Sequence, residues 1–155
     1  MLETKSNMNI NEQLNKCLES GEDFEFDGER FVRAIIKEQG KEAELKMVST
    51  KLESLQEAVR GWIEVVAAPF CENLDIIINE EGKFIEEEKP NFFLPEYDDV
   101  IVGNAIFVGF DMDSSDHISI TDEQIESITA YLNKNTITNE IVDKEDYIRY
   151  AIYRM

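Results

Sequence analysis

The side chains able to do chemistry are mostly carboxylates. The chain carries 34 Asp and Glu against 15 Lys and Arg, with one His and two Cys, for a formal net charge of -19 over 155 residues. The densest run holds Glu80, Glu81, Glu86, Glu87, Glu88, Glu96, Asp98 and Asp99, interleaved with Phe92, Phe93, Leu94 and Tyr97. Carboxylates can pair for acid–base work or hold a divalent metal, but only where partners converge at a defined separation in a cleft. Neighbours in one polar loop point apart, so the run reads as a solvated acidic surface. Its apolar residues read two ways. They are a loop folded back over the core, or an exposed patch of the kind on which partners anchor.

Other candidate motifs are weaker. Asp111, Asp113, Ser115, Ser119 and Asp122 place oxygens at positions 1, 3, 5, 9 and 12 of a loop that follows the EF-hand pattern. Position 6 is Asp116 where the turn glycine belongs, and position 12 is Asp122 where a bidentate Glu belongs, so no calcium site is expected. Lys83 after Gly82 has neither the second glycine nor the following Ser or Thr of a phosphate loop. Gly103 and Gly109 precede no helix and make no dinucleotide fingerprint. His117 is the single histidine, which argues against a His-based metal site or triad. Cys17 and Cys71 are isolated from each other and read as buried free thiols. No catalytic residue, metal or cofactor is assigned.

The sign of the charge selects among partners. Phosphate binding needs clustered Lys and Arg, so nucleic acid and anionic membrane are not expected to bind directly. A basic partner or a bound cation is favoured, and a homo-oligomer stays open. No run of about 18 apolar residues is present, and the start MLETKSNMNINEQ has no apolar signal core. The expected location is the cytoplasm. The charge far exceeds the roughly 2 to 8 units that keep a small domain soluble.

The elements that must carry these residues follow from periodicity. Ile10, Leu14, Cys17 and Leu18 share a helical face, and Gly21 ends that helix. Asp27-Gly28 reads as a two-residue hairpin turn. Its second strand runs through Val32, Ala34 and Ile36, and a turn at 38–41 returns the chain through Leu45 and Val48. Thr50 and Glu53 read as a capping box, with Leu52, Leu55, Ala58 and Val59 as the buried stripe and Gly61 as the C-cap. Trp62–Val66, Leu74–Ile78 and Lys83–Ile85 read as strands, and residues 86–99 as irregular. The apolar run 100–110 suggests one central strand covered on both faces, bent at Gly103. Thr121 and Gln124 form a second capping box, opening a helix with Ile125, Ile128, Tyr131 and Leu132 on one face. Residues 133–139 read as a connector and Asp143 to Tyr153 as a terminal helix. The sum is one α+β domain, an antiparallel sheet of about five strands with helices mainly on one face.

Several of these segments carry a resemblance. Val32-Arg-Ala-Ile-Ile36, Leu52 to Val65, Asn79-Glu-Glu-Gly-Lys83, Asp99-Val-Ile-Val-Gly103 and Ile120-Thr-Asp-Glu-Gln124 resemble, in order and spacing, a family carried by bacteriophages and conjugative elements, domain of unknown function 3846. The resemblance spans residues from about 31 to 132 and leaves helical additions at both ends. It implies a mobile-element setting and an α+β domain, and no activity or catalytic residue. Together with the charge it raises the expectation of a non-enzymatic phage or mobile-element protein. That protein would inhibit a basic, nucleic-acid-binding host defence protein through carboxylates that mimic DNA phosphates. The alternative is a module that sequesters a small molecule or nucleotide signal. It would draw on Arg30, Arg33, Arg60, Arg149 or Arg154.

Overall fold

Asp27 and Gly28 adopt φ of 52° and 77°. Both are left-handed, as the tight hairpin turn between β1 (Phe24–Phe26) and β2 (Glu29–Lys37) requires. The computed structural model describes residues 9–138. The segment Asp143 to Tyr153, with Arg149 and Arg154, lies outside the described residues. Around the first hairpin the chain lays down α1 (Ile10–Ser20), β3 (Glu44–Ser49), α2 (Leu52–Val59), β4 (Ile63–Ala67), β5 (Leu74–Asn79), β6 (Pro90–Leu94), β7 (Asp99–Val102), β8 (Ala105–Phe110), β9 (His117–Ile118) and α3 (Asp122–Asn135).

Every strand pair is antiparallel. Seven strands form one sheet and β6 with β7 form a second, two-stranded one. The long strands of the main sheet run β3-β2-β8-β5-β4, and short β1 and β9 extend the pairing of β2 and β8. The expected α+β class with an antiparallel sheet is what the chain forms.

The helices do not share a face. Alternate residues of the same strands feed two cores. Ile35, Leu74, Ile76, Ala105 and Phe107 pack with Phe92, Leu94, Ile101, Ile128 and Leu132. Val32, Ala34, Ile77, Ile106 and Val108 pack with Val48, Leu55 and Val59. Helix α3 and the β6–β7 hairpin therefore cover one face, and α2 covers the other. The doubly buried strand foreseen in residues 100–110 is β8 alone. Gly103, at φ 89°, divides the run. Its first part, β7, belongs to the small sheet.

Local chemistry explains the remaining departures. Thr121 does cap α3: its hydroxyl accepts from the Gln124 amide at 3.1 Å, and Gln124 Oε1 accepts from the Thr121 amide at 2.9 Å. Such a box contributes about 1 kcal/mol. The helix runs to Asn135, into the expected connector. Thr50 makes no such box. Its hydroxyl bonds the Arg30 carbonyl at 3.2 Å instead, and Lys51 takes the cap position of α2 without a side-chain bond. At the other end of α2 the left-handed residue is Arg60, φ 68°, rather than Gly61. Gly61 is needed for space. A β-carbon there would stand 2.5 Å from Asn79 Nδ2, whose amide donates to the Val59 and Arg60 carbonyls.

Lys83–Ile85 is not a strand. Gly82–Phe84 coils into a 3-10 turn, because Gly82 is pressed against β7, where a β-carbon would lie 2.5 Å from the Val102 carbonyl oxygen. Residues 86–99 are more ordered than expected. They contain β6, a second 3-10 turn at Pro95–Tyr97 and the start of β7. No helix among the described residues is long and apolar enough to cross a membrane.

Candidate functional site

The acidic stretch from Glu80 to Asp99 begins and ends beside β4. At its start the Glu80 amide donates to the Trp62 carbonyl at 2.8 Å. Near its end the Tyr97 hydroxyl donates to the Ala67 carbonyl at 2.7 Å. Between these points the chain crosses the α3 face of the sheet as β6.

The eleven residues singled out in this stretch divide by position. Glu80, Glu81, Glu86 and Glu87 are exposed. Glu96 is exposed, and one of its oxygens accepts the Tyr131 hydroxyl at 2.5 Å. Burial and this carboxylate push the Tyr131 phenol well above its ordinary value of 10.0. Tyr97 is exposed, and Asp98 and Asp99 are half-buried. Asp99 pairs with Lys83 and also accepts from the Val100 amide at 2.8 Å.

Two of the candidates are not surface residues. Phe92 is 0% exposed and lies against Phe107, ring centroids 5.6 Å apart. Alternation in β6 turns Phe92 and Leu94 into the core and leaves Phe93 half-buried against Val100 and Val102. Of the two readings for this apolar segment, Phe92 and Leu94 follow the covered core, while Phe93 is half-buried and Tyr97 stays exposed. Glu88 is 2% exposed, beneath Arg60, whose Nε lies 3.4 Å from Glu88 Oε1. The other oxygen, Oε2, sits in the space a side chain on Gly103 would fill, 2.7 Å from that position, and has no hydrogen-bond partner among the described residues. The run of three glutamates is thus two solvated residues and one buried one.

Three exposed aromatic residues escaped the sequence reading, and besides Phe26 in β1 they are Trp62 and Phe84. Trp62 is 70% exposed and Phe84 is 88% exposed. Trp62 precedes β4 in the position that pairs with Glu80, and Phe84 closes the 3-10 turn that follows Glu81. An aromatic in a β-branched run suggests burial, which hid Trp62. The signal available for Phe84 was its place after Gly82, in a segment with no alternating partner.

The basic residues are largely used within the fold. Arg33 is buried: its Nη2 donates to the Ile120 carbonyl at 2.7 Å and to Asp122 Oδ1 at 3.0 Å, and its Nη1 to the Leu18 carbonyl at 3.1 Å. Arg30 pairs with Asp23 at 2.9 Å and with the His117 carbonyl. Lys37 donates to Asn91 Oδ1 at 2.9 Å, and burial holds its pKa below the usual lysine value. Arg60 alone of the three described candidate arginines keeps about half its side chain exposed, at 54%.

The 111–122 loop is organised as a turn. Asp111 accepts from the Asp113 amide at 3.0 Å and the Ser114 hydroxyl at 3.1 Å, and Ser115 takes the left-handed conformation at φ 62°. Both cysteines are free and half-buried. Among the described residues no three His, Cys, Asp or Glu side chains are grouped to hold a metal ion.

A family model described as Domain of unknown function (DUF3846) matches residues 32–133. No curated protein and no solved structure matches the chain. The match begins in β2 and ends in the last turns of α3. It takes in the acidic stretch, Trp62 and Phe84, and leaves α1 and β1 outside.

Proposed function

The chain belongs to this family of unknown function, and on that premise we propose that it is a non-enzymatic acidic binding protein which docks a basic surface of another protein. In its finer form the partner is a nucleic-acid-binding defence protein of a host cell, whose groove the carboxylates occupy in place of DNA phosphates. One observation carries the reading: Glu80, Glu81, Glu86 and Glu87 are exposed on both sides of the exposed Phe84. A desolvated aromatic ringed by charge is the usual anatomy of an interface anchor and its rim. Phe84 and Trp62 take the anchoring role that Phe92 cannot fill. The rim carboxylates set the association rate and its salt dependence, and the aromatics set the lifetime.

The test is titration of the purified protein into DNA-cleaving defence enzymes of candidate hosts. Inhibition is expected to be stoichiometric, without turnover. Replacing Glu80, Glu81, Glu86 and Glu87 together by Gln weakens it mainly at low salt, since salt already screens that contribution. Phe84→Ala weakens it about tenfold or more at any salt. A quadruple variant that inhibits as well as the parent at low ionic strength would overturn the reading.

A further inference from the structure

Strand β4 ends the main sheet, with β5 on one side and no strand on the other among the described residues. Its register states which backbone groups face outward. The Trp62 carbonyl accepts from Glu80 and the Ala68 amide donates to the Leu74 carbonyl at 2.9 Å, both toward β5. In an antiparallel ladder a residue's N–H and C=O point the same way, and the direction alternates along the strand. Trp62, Glu64, Val66 and Ala68 therefore bond β5, while Ile63, Val65 and Ala67 direct their backbone groups away from the sheet. The bond from Tyr97 to the Ala67 carbonyl agrees with this parity and occupies the last of those acceptors.

The two edges of the sheet differ. Edge strand β3 carries exposed Glu44 and Lys46, paired at 3.6 Å, the mixed charge that blunts strand addition. Strand β4 has the sequence Ile-Glu-Val-Val-Ala, with Val65 and Ala67 exposed and Glu64 its one charge. Five residues span about 17 Å. The acidic stretch frames both ends: Glu80 and Glu81 stand beyond Trp62, and Glu96 and Asp98 flank Tyr97.

We propose that β4 is completed in the functional complex by an extended, Lys- or Arg-bearing segment of the partner, added as a further strand of the main sheet. The inference rests on the basic-partner reading above and specifies how that partner is held. Main-chain hydrogen bonds to Ile63 and Val65 supply the pairing, and the carboxylates at both ends select the charge. A second copy of the chain fits poorly. It would bring its own Glu64 and acidic ends against the same groups, with a net charge of -19 on each side.

The probe is a ten-residue peptide alternating Lys and Thr. It is compared with the same peptide N-methylated at every backbone amide, so that neither edge can donate, and with a Glu–Thr counterpart. Binding to the full chain is followed by amide NMR at low ionic strength. The Lys–Thr peptide is expected to shift the Ile63, Val65 and Ala67 amides. The N-methylated peptide, equal in charge, binds about tenfold more weakly for want of ladder bonds, and the Glu–Thr peptide does not bind. Val65→Pro removes one outward N–H without touching the β4–β5 ladder, and weakens the Lys–Thr peptide about fivefold. Val65→Ala, which keeps the amide, does not. Thermal melts establish that both variants fold, and if Val65→Pro does not, the N-methyl comparison decides alone. Equal affinity for the two basic peptides overturns strand pairing and leaves acidic docking standing. Binding of neither overturns both. A concentration-dependent dimer abolished by Val65→Pro overturns the basic occupant in favour of a second copy.

Discussion

Charged groups serve opposite ends in two regions of this molecule. Where the N-terminal residues meet the sheet, Asp23 accepts from the Ser119 hydroxyl at 2.7 Å, the Ser119 amide at 3.1 Å and Arg30 at 2.9 Å. Arg33 beside it gathers the carbonyls of Leu18, Glu19 and Ile120. Those charges are part of the fold and join α1, outside the family match, to the start of α3. Between Glu80 and Glu87 the carboxylates stand in solvent beside exposed rings. A variant that unfolds the first region therefore leaves the second unexplained, and one that silences the second leaves the first intact.

The largest expected effect is on Arg33. Arg33→Ala leaves the buried Ile120 carbonyl and the part-buried Leu18 carbonyl without their donor and should cost about 3 kcal/mol in urea unfolding. Asp122, whose side chain is 84% exposed, contributes little of this. The quadruple Gln variant in the acidic stretch should melt at the parent's temperature or above, since it relieves like-charge repulsion. A large loss of stability there would show that these glutamates belong to the fold after all. Next in size is Gly82→Ala. Its β-carbon meets the Val102 carbonyl oxygen, which belongs to a paired strand and cannot rotate away. About 2 kcal/mol should be lost, and if the 3-10 turn shifts in response, Phe84 moves with it.

The smallest effect tests the point where the acidic stretch is tied to α3. The raised Tyr131 pKa means that the unfolded chain gives up this proton first. The stability Tyr131 contributes is complete below its ordinary value of 10.0 and is lost as pH rises above it. Urea midpoints measured from pH 8 to 11 should fall more steeply for the parent than for Tyr131→Phe. Equal slopes would mean that Glu96 is as free as Glu86 and Glu87.

Features fixed by local chemistry were readable from the chain. Asp27-Gly28 has only one common use between alternating strands, and Thr121 and Gln124 bond each other even though Gln124 Nε2 also donates to the Glu72 and Asn73 carbonyls. Thr50 has the same local pattern, but the Arg30 carbonyl from a neighbouring strand is within reach of its hydroxyl and wins. The apolar run 100–110 revealed a doubly covered strand, yet composition alone could not place the change of sheet at Gly103. The acidic stretch was visible as charge. Which carboxylates face water was not, because the burial of Glu88 depends on distant neighbours, among them Gly103, whose missing side chain leaves it room, and Arg60. Phe92 and Phe84 look alike in sequence, and the parity of β6 sends one inward while the 3-10 turn at Gly82 leaves the other outside.

The strand order also dictates a timetable for synthesis. The central strand, β8, lies between β2 and β5, but its residues are made after both. When the first 104 residues have left the ribosome, β2–β3 and β4–β5 can pair only as separate hairpins, each with the inner edge that β8 will occupy still open. Only when residues 105–110 clear the ribosome can one segment join the two halves, and short hairpins rarely hold alone in water. A pause in translation that holds residues 105–110 inside the ribosome would prolong this aggregation-prone moment, and a pause after they have emerged would allow the sheet to close first.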